Sequence, residues 1–228
     1  MERRRRRRPW ENRRVITAPV PLEAIVAVGN ALGEPLTEAE IGTLAAYLET
    51  LAFFNARLNL TALKDPFARA AELIGDSLLV CKLLADYPVG QAIDIGSGNG
   101  APGIPFAIRN PGWSVELLER KTSVALYLED AVRAARLSNT TVLNINLDQY
   151  AFREAQRPFV LFSKAVFPVE QFCKILADIA PPDVWGLWWG TPGLDAARLP
   201  DPWRILTHRE ATLPVTERPS AVYCLTRQ

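Results

Sequence analysis

The hydrophobic positions of this chain follow a helical spacing up to about residue 88 and form short, strand-like runs after it. In the first part they predict three helices, because apolar residues recur every three or four positions. The second helix begins at a capping box, in which Thr37 precedes Glu40 by three residues. The third begins at Asp65-Pro66, since proline suits the first turn of a helix. Residues 55–61 interrupt the pattern between these two helices.

Beyond residue 90 the apolar runs alternate with helical stretches. The predicted strands are 91–95, 114–119, 141–146, 159–163, 184–189, 203–209 and 220–226, and the predicted helices are 103–110, 121–136 and 168–180. Such alternation predicts right-handed crossovers and a mostly parallel sheet. The last two strands are separated by a short loop only, so they should pair antiparallel. The sequence therefore predicts an α/β, Rossmann-like fold with a seven-stranded, mostly parallel sheet, an antiparallel last strand and N-terminal helices.

The charged residues are distributed unevenly along the chain. Residues 1–14 contain eight arginines and two glutamates, a balance of +6, so the other 214 residues sum to −5. Such a segment cannot bury itself, and we expect residues 1–19 to form a disordered arm. The arm could bind nucleic-acid phosphates, but a solvated tail or an upstream mis-set start codon would give the same sequence. We predict a helical segment at 20–88, packed on a second domain at 89–228.

Composition narrows the classes of protein. The chain is 49% hydrophobic and 22% charged, as in a soluble globular protein. It has no apolar run of the roughly 18 residues that a membrane span needs. Cys81, Cys173 and Cys224 are far apart and odd in number, which fits a reducing cytoplasm and neither a disulfide framework nor a metal site. We expect a cytoplasmic monomer without metal.

The candidate chemistry is concentrated in residues 92–105, AIDIGSGNGAPGIP. A short apolar strand runs into a glycine-dense turn, and prolines then open the next segment. Glycine lets the backbone turn sharply and lets a ligand approach, since it has no Cβ. This is the usual nucleotide-binding corner of an α/β sheet, so we take the loop residues Gly96, Ser97, Gly98, Gly100 and Ala101 as candidate ligand contacts.

Asp94 bears on which ligand this loop binds. Its carboxylate stands two residues before the first glycine, where it would repel a pyrophosphate but suit the cationic groups of S-adenosylmethionine. Glu119 ends the next strand, 25 positions later, close to where a βαβ unit places an acid on ribose hydroxyls. These residues favour a methyl-donor site. A dinucleotide site, or a glycine turn without a ligand, remains open at this point.

Several motifs also resemble a known family, the bacterial 16S ribosomal RNA guanine-N7 methyltransferases called RsmG or GidB. The resemblance covers about Leu36 to Arg227. The motifs that carry it are Phe54 to Thr61 (FNARLNLT), Asp65-Pro66, Asp76-Ser77-Leu78, Ile93 to Pro105, Leu117-Leu118-Glu119 and Leu137-Ser138-Asn139. It implies a class I S-adenosylmethionine-dependent methyltransferase fold, S-adenosylmethionine as cofactor, and 16S rRNA or the 30S subunit as partner.

The resemblance also implies roles for single residues. Gly96 and Ala101 would contact S-adenosylmethionine, Glu119 its ribose, and Leu147 with Asp148 its adenine. Lys164 stands where the family has the arginine of Ser-Arg-Ala. We take Lys164 as a donor-site and catalytic candidate. Asn55 and Asn59 are further catalytic candidates, which could reach the base or the methionine carboxylate, or could instead shape a turn.

The chain departs from the family at several basic positions. The family's histidine before Asp-Ser is Leu73, its Gly-Lys-Arg is residues 122–124 (TSV), and its Lys-Gly after the fifth strand is Trp189-Gly190. Lysine at 164 keeps the charge of arginine but loses its bidentate geometry. We hypothesise that the arginine arm replaces the lost charge. Two alternatives stay open, namely a methyltransferase with another substrate and a non-catalytic RNA-binding or assembly factor.

Overall fold

A computed structural model describes residues 19–151, 159–181 and 183–227 of the protein. Its seven strands form one sheet in the order β3-β2-β1-β4-β5-β7-β6. The strands are β1 Gln91–Ile95, β2 Ser114–Leu118, β3 Thr140–Leu143, β4 Phe159–Ser163, β5 Trp185–Gly190, β6 Trp203–Thr212 and β7 Pro219–Arg227. The predicted arginine arm lies outside the described residues.

The described helices lie at α1 Leu22–Ala31, α2 Glu38–Leu58, α3 Pro66–Leu83, α4 Gly103–Arg109, α5 Thr122–Ala134 and α6 Val169–Ile179. Both predicted helix starts are confirmed. The Thr37 side chain and the Glu40 carboxylate close a capping box at α2. At α3 the Asp65 carboxylate accepts the Ala68 N–H at 2.7 Å. These contacts satisfy backbone groups that a helix end otherwise leaves without partners.

The mostly parallel sheet is also confirmed. Strands β1 to β5 pair in parallel, and β7 runs antiparallel between β5 and β6. Strand β3 ends earlier than predicted, at Leu143. The reason is that the Asn144 side chain donates to the carbonyls of Glu119 at 2.8 Å and Arg120 at 3.1 Å, which joins the two strand ends by a side chain.

The three N-terminal helices share a core with the sheet. Buried residues of α2 and α3, such as Leu48 and Ile74, belong to the same hydrophobic cluster as Val115 of β2 and Phe162 of β4. Helices α2 and α5 pack against each other, and α3 packs against α4. The helical segment therefore packs on the face of the sheet that also carries α4 and α5. The division at residue 88 stays a prediction.

Candidate active site

Two neighbouring cavities open at the carboxyl ends of the parallel strands. The first, which we call the loop cavity, has about 510 Å³ and is lined by Ile95, Gly96, Leu118, Glu119, Arg120, Ile145, Asn146, Leu147, Ala165, Val166 and Phe167. The second, the cluster cavity, has about 610 Å³ and is lined by Thr61, Ala62, Leu63, Glu72, Leu73, Asp76, Asn99, Lys164, Ala165, Trp189, Gly190, Thr191, Arg218, Pro219 and Ser220. Ala165 lines both cavities, so the two sites adjoin. Its φ of 58° is in the left-handed region, which a non-glycine residue seldom occupies.

The glycine loop borders the loop cavity at Gly96. Gly96 has a φ of +68°, and a Cβ there would lie 3.2 Å from Val166, across the cavity. A larger residue would therefore be strained and would also fill the cavity. The loop is braced from within, because the Ser97 hydroxyl donates to the Asp94 carbonyl at 2.9 Å and the Gly100 N–H donates to the Ser97 carbonyl at 2.7 Å.

Glu119 stands at the edge of the loop cavity, at the end of β2. One carboxylate oxygen accepts the Gly98 N–H at 3.2 Å, and the other accepts the Lys121 N–H at 2.8 Å. Each oxygen has further lone pairs, so the carboxylate can also accept from a ligand. This arrangement suits a pair of ribose hydroxyls.

Asp94 lies beneath the loop and outside the cavity lining. Its side chain is 2% exposed, and its Oδ2 accepts the Gly103 N–H at 3.1 Å, at the start of α4. Burial raises the pKa of Asp94 to about 7, against the opposing effects of that hydrogen bond and of Lys164. The carboxyl thus supports the loop, and its predicted direct contact with the donor stays a prediction.

The remaining predicted donor residues fall in different places. Leu147 lines the loop cavity from a short 3-10 turn after β3, beside Ile145 and Asn146. Asp148, in the same turn, is exposed and is not among the lining residues. Ala101 is buried and donates its N–H to the Asn99 side chain at 3.0 Å. Among the residues predicted to contact the donor, Gly96, Glu119 and Leu147 come together around the loop cavity.

The cluster cavity is built around a buried carboxylate, Asp76 of α3, which is 1% exposed. It contacts the Lys164 ammonium at 2.6 Å and accepts hydrogen bonds from Arg218 at 2.8 Å and the Ser220 hydroxyl at 2.6 Å. Burial alone would raise the pKa of Asp76, but Lys164, Ser220 and Arg218 outweigh that effect and lower it. Arg218 also donates to Glu72 at 3.1 Å. The cluster thus pairs two cations with two carboxylates.

Of the three predicted catalytic residues, Lys164 alone lines one of the two cavities. Lys164 lines the cluster cavity and is held on Asp76. The Asn55 side-chain amide makes two hydrogen bonds to the backbone of Thr61. Its NH₂ group donates to the Thr61 carbonyl at 3.0 Å, and its oxygen accepts the Thr61 N–H at 2.9 Å. Asn59 ends α2 with a φ of 51° and lines neither cavity. Their predicted catalytic roles stay predictions.

Two positions at which the chain departs from the resembled family line the cluster cavity. They are Leu73, 3% exposed, and Trp189, 8% exposed, whose indole N–H donates to the Asp76 carbonyl at 3.3 Å. Arg218 and Ser220 were missed by the sequence reasoning. They lie at the turn into β7, where the only available signal was one basic residue in a predicted loop.

Within the described residues, no group of three or more His, Cys, Asp or Glu side chains is placed to hold a metal ion. In the same part of the chain, no helix is both long and apolar enough to cross a membrane. The three cysteines are buried as free thiols. His208 lies in β6, 52% exposed at its side chain, away from both cavities.

Comparison with known proteins identifies a family to which the chain is similar over most of its length. Residues 40–186 match the family model GidB, described as rRNA small subunit methyltransferase G. A ribosomal RNA small subunit methyltransferase G from Burkholderia thailandensis is 32% identical over 199 residues, 85% of this chain and 86% of the relative. The protein of that name from Burkholderia pseudomallei is 31% identical over 215 residues, 92% of this chain and 91% of the relative.

Solved structures support the fold. Coclaurine N-methyltransferase superposes with a TM-score of 0.50 at 16% identity, covering 86% of this chain and 69% of that one. MtNAS in complex with MTA and tNA gives a TM-score of 0.51 at 14% identity, covering 82% of this chain and 72% of that one. At these identities the likeness concerns the fold alone.

Proposed function

Because the chain belongs to the GidB family, the rRNA small subunit methyltransferases G, we propose that it transfers a methyl group from S-adenosylmethionine to N7 of a guanine in 16S rRNA. The observation that carries the proposal is the pair of cavities that meet at Ala165. One has the features of a donor site, and the other is a polar recess beside it that can receive a base.

The loop cavity fits the donor in size and in chemistry. Its volume of about 510 Å³ is within the range of small-ligand sites. Glycine at 96 leaves the space that a side chain would fill, Glu119 can accept from ribose hydroxyls, and Leu118, Leu147 and Phe167 provide apolar surface for adenine. When bound, S-adenosylmethionine would supply a methyl group on a sulfonium sulfur, and a nitrogen lone pair would attack the methyl carbon as the carbon–sulfur bond breaks and S-adenosylhomocysteine leaves.

The residues around the cluster cavity suit an acceptor that needs no general base. Guanine N7 has a lone pair and carries no proton, so the protein has to orient the base and exclude water. Asp76 is an unsuitable base, because its pKa is lowered and its oxygens are held by Lys164, Arg218 and Ser220. We assign catalysis to positioning.

The predicted catalytic residues take roles that agree with this assignment. Lys164, beside Ala165, orients the acceptor from the cluster cavity, and its charge is balanced by Asp76. Asn55 acts through Thr61, which lines the cluster cavity and whose backbone it holds at both ends. Asn59 shapes the same turn by ending α2 in a left-handed conformation. The 30S subunit is the proposed partner of a cytoplasmic, monomeric enzyme.

The test incubates the purified protein with methyl-labelled S-adenosylmethionine and undermethylated 30S subunits, and maps N7-methylguanine by chemically induced strand scission. We expect label at a single guanine of 16S rRNA. Gly96→Val is the matched control, because its side chain would strain the backbone and fill the loop cavity. It should fold, as judged by circular dichroism, and transfer no label. Wild-type protein that binds the donor but labels no guanine would contradict the proposal.

A second candidate is a methyltransferase with another acceptor. It is favoured by Leu73 and Trp189, since these positions, basic in the resembled family, are apolar here and line the acceptor side. Donor binding without label in 30S subunits, followed by transfer to a smaller acceptor, would select this candidate.

A further inference from the structure

Asn99 is the residue of the glycine loop that reaches the acceptor side. Of residues 96–101, it alone lines the cluster cavity, whereas Gly96 lines the loop cavity. The loop thus has one surface toward the proposed S-adenosylmethionine site and one residue, Asn99, toward the proposed site of the RNA base. A side chain at this place can touch the base that receives the methyl group.

The backbone of Asn99 is fixed by two buried tyrosines from different helices. Its carbonyl accepts the hydroxyl of Tyr47 in α2 at 3.0 Å and that of Tyr127 in α5 at 2.7 Å. Both tyrosines are fully buried. The next peptide N–H, that of Gly100, is held by the Ser97 carbonyl at 2.7 Å. The peptide after Asn99 is therefore bonded at both its oxygen and its nitrogen.

The side chain of Asn99 is oriented by its own loop. Its Oδ1 accepts the Ala101 N–H at 3.0 Å. A backbone N–H can only donate, so the atom that faces it is the oxygen, and the NH₂ group points away from Ala101. Within the described part of the chain, that NH₂ group has no hydrogen-bond partner.

The other polar groups that could donate to a base either donate and accept alike or are already paired with a carboxylate. The hydroxyls of Thr61 and Thr191 can rotate to donate or to accept. The cations of Lys164 and Arg218 are held on Asp76 at 2.6 Å and 2.8 Å. The Asn99 amide, in contrast, offers a donor of fixed direction without a partner.

We propose that the Asn99 NH₂ group donates to O6 of the target purine and thereby selects guanine over adenine, an inference that rests on the proposed function. On the edge that carries N7, guanine presents the acceptor O6, whereas adenine presents a donor at the same position. An adenine there would place its N6 amino group against the Asn99 NH₂ group, and both groups are hydrogen-bond donors. Asn99 is thus a specificity-determining residue, and Tyr47 and Tyr127 are its positioning residues.

The test crosses an enzyme variant with a substrate analogue. The variant is Asn99→Asp, which keeps an oxygen for the Ala101 N–H and replaces the NH₂ donor by an acceptor. The analogue is 30S subunit reconstituted with semisynthetic 16S rRNA that carries 2-aminopurine, which lacks O6, at the methylated guanine. The readouts are kcat/KM for methyl transfer with each protein on each substrate, and the Kd of S-adenosylmethionine.

We expect 2-aminopurine to lower kcat/KM of both proteins by different factors. The factor for the wild type should be about tenfold or more larger than the factor for Asn99→Asp. The ratio of the two effects cancels any change in the intrinsic reactivity of N7 and any repulsion of phosphate by the new charge. The Kd of the donor should change by less than about threefold, since the loop's own hydrogen bond is kept. Equal losses in both proteins would overturn the inference and leave the proposed function intact. Absence of transfer to guanine by the wild type would overturn both.

Discussion

Asp94 and Glu119 are acids at the carboxyl ends of neighbouring strands, yet their surroundings differ. Asp94 is buried beneath the loop with one backbone N–H on its carboxylate, and its pKa is raised to about 7. Glu119 reaches the loop cavity and accepts two backbone N–H groups. At this scale Asp94 influences stability through its protonation, whereas Glu119 is placed to bind a ligand.

The first prediction concerns Asp94→Asn. A carboxyl with a pKa of 3.8 in the unfolded chain and about 7 in the folded one stabilises the fold most below pH 4, and this contribution is lost as the pH rises through 7. Asparagine stays neutral and can still accept the Gly103 N–H. We expect the free energy of unfolding of the variant to exceed that of the wild type by an amount that grows from pH 4 to pH 8.

This prediction is checked by urea unfolding of both proteins without donor at several pH values. Comparison of the two proteins at each pH cancels the contributions of all other groups. A difference that stays constant with pH would show that Asp94 has the same protonation in the folded and unfolded states.

The second prediction concerns Glu119→Gln. The amide cannot accept both the Gly98 and Lys121 N–H groups, and it loses the charge that strengthens hydrogen bonds to ribose hydroxyls. Hydrogen bonds to charged groups contribute about 1.5–3 kcal/mol, so the Kd of S-adenosylmethionine should rise about ten- to a hundredfold. Calorimetric titration measures it, with Glu49→Gln, on the exposed side of α2, as the matched control. An unchanged Kd would remove Glu119 from the donor site.

At the scale of elements, the Asp76 cluster connects parts of the fold that are distant in sequence. Asp76 belongs to α3, Lys164 follows β4, and Arg218 and Ser220 stand at the start of β7. A buried carboxylate is tolerated here because the cations and the hydroxyl surround it. The N-terminal helical segment is thereby attached to the sheet at the cluster cavity by charge as well as by apolar packing.

The third prediction follows from this connection. Asp76→Asn leaves Lys164 and Arg218 without their shared carboxylate, and removal of one partner of a buried pair typically costs about 3–5 kcal/mol. The matched control is Glu72→Gln, which removes a more exposed partner of Arg218 and should cost less than about 1 kcal/mol. Urea unfolding compares the two. Equal costs would mean that burial of Asp76 adds nothing to its pairing.

At the scale of the whole molecule, charge is distributed unevenly. Residues 1–14 carry a balance of +6 and the remaining 214 residues sum to −5. At the cluster cavity the two cations of the Asp76 cluster are neutralised by two carboxylates, and Leu73 and Trp189 add no charge. This cavity therefore offers little net positive charge to RNA, and we propose that the arginine arm attracts the phosphates of the substrate.

The fourth prediction tests the arm by replacing Arg3 to Arg8 with glutamine, which keeps its length. Affinity for 30S subunits should fall, and the slope of log K against log salt should flatten by about 0.7–0.9 for each arginine that neutralises a phosphate. The Kd of S-adenosylmethionine in the same variant is the internal control and should not change. An unchanged salt slope would mean that the arm does not contact RNA.

The sequence by itself determined the order and type of the elements, because these depend on local periodicity, caps and turns. The capping box at Thr37 and the Asp65-Pro66 start are both present, and the short loop near 213–219 fixed an antiparallel pair. The glycine loop and its motifs likewise indicated the donor site and the family. The end of β3 was predicted wrongly, at 146 instead of Leu143, because the Asn144 side chain bonds to the residues that follow β2.

Only the tertiary structure decided which polar groups meet. Asp94 lies near the end of β1 and Glu119 directly follows the neighbouring β2, but one is buried beneath the loop and the other lines a cavity. Arg218 is separated from Asp76 by 142 positions, and no local pattern shows that they pair. The Asn99 carbonyl is held by tyrosines 52 and 28 positions away. Burial and pairing of charges depend on which elements pack together, and that follows from the whole chain and not from any window of its sequence.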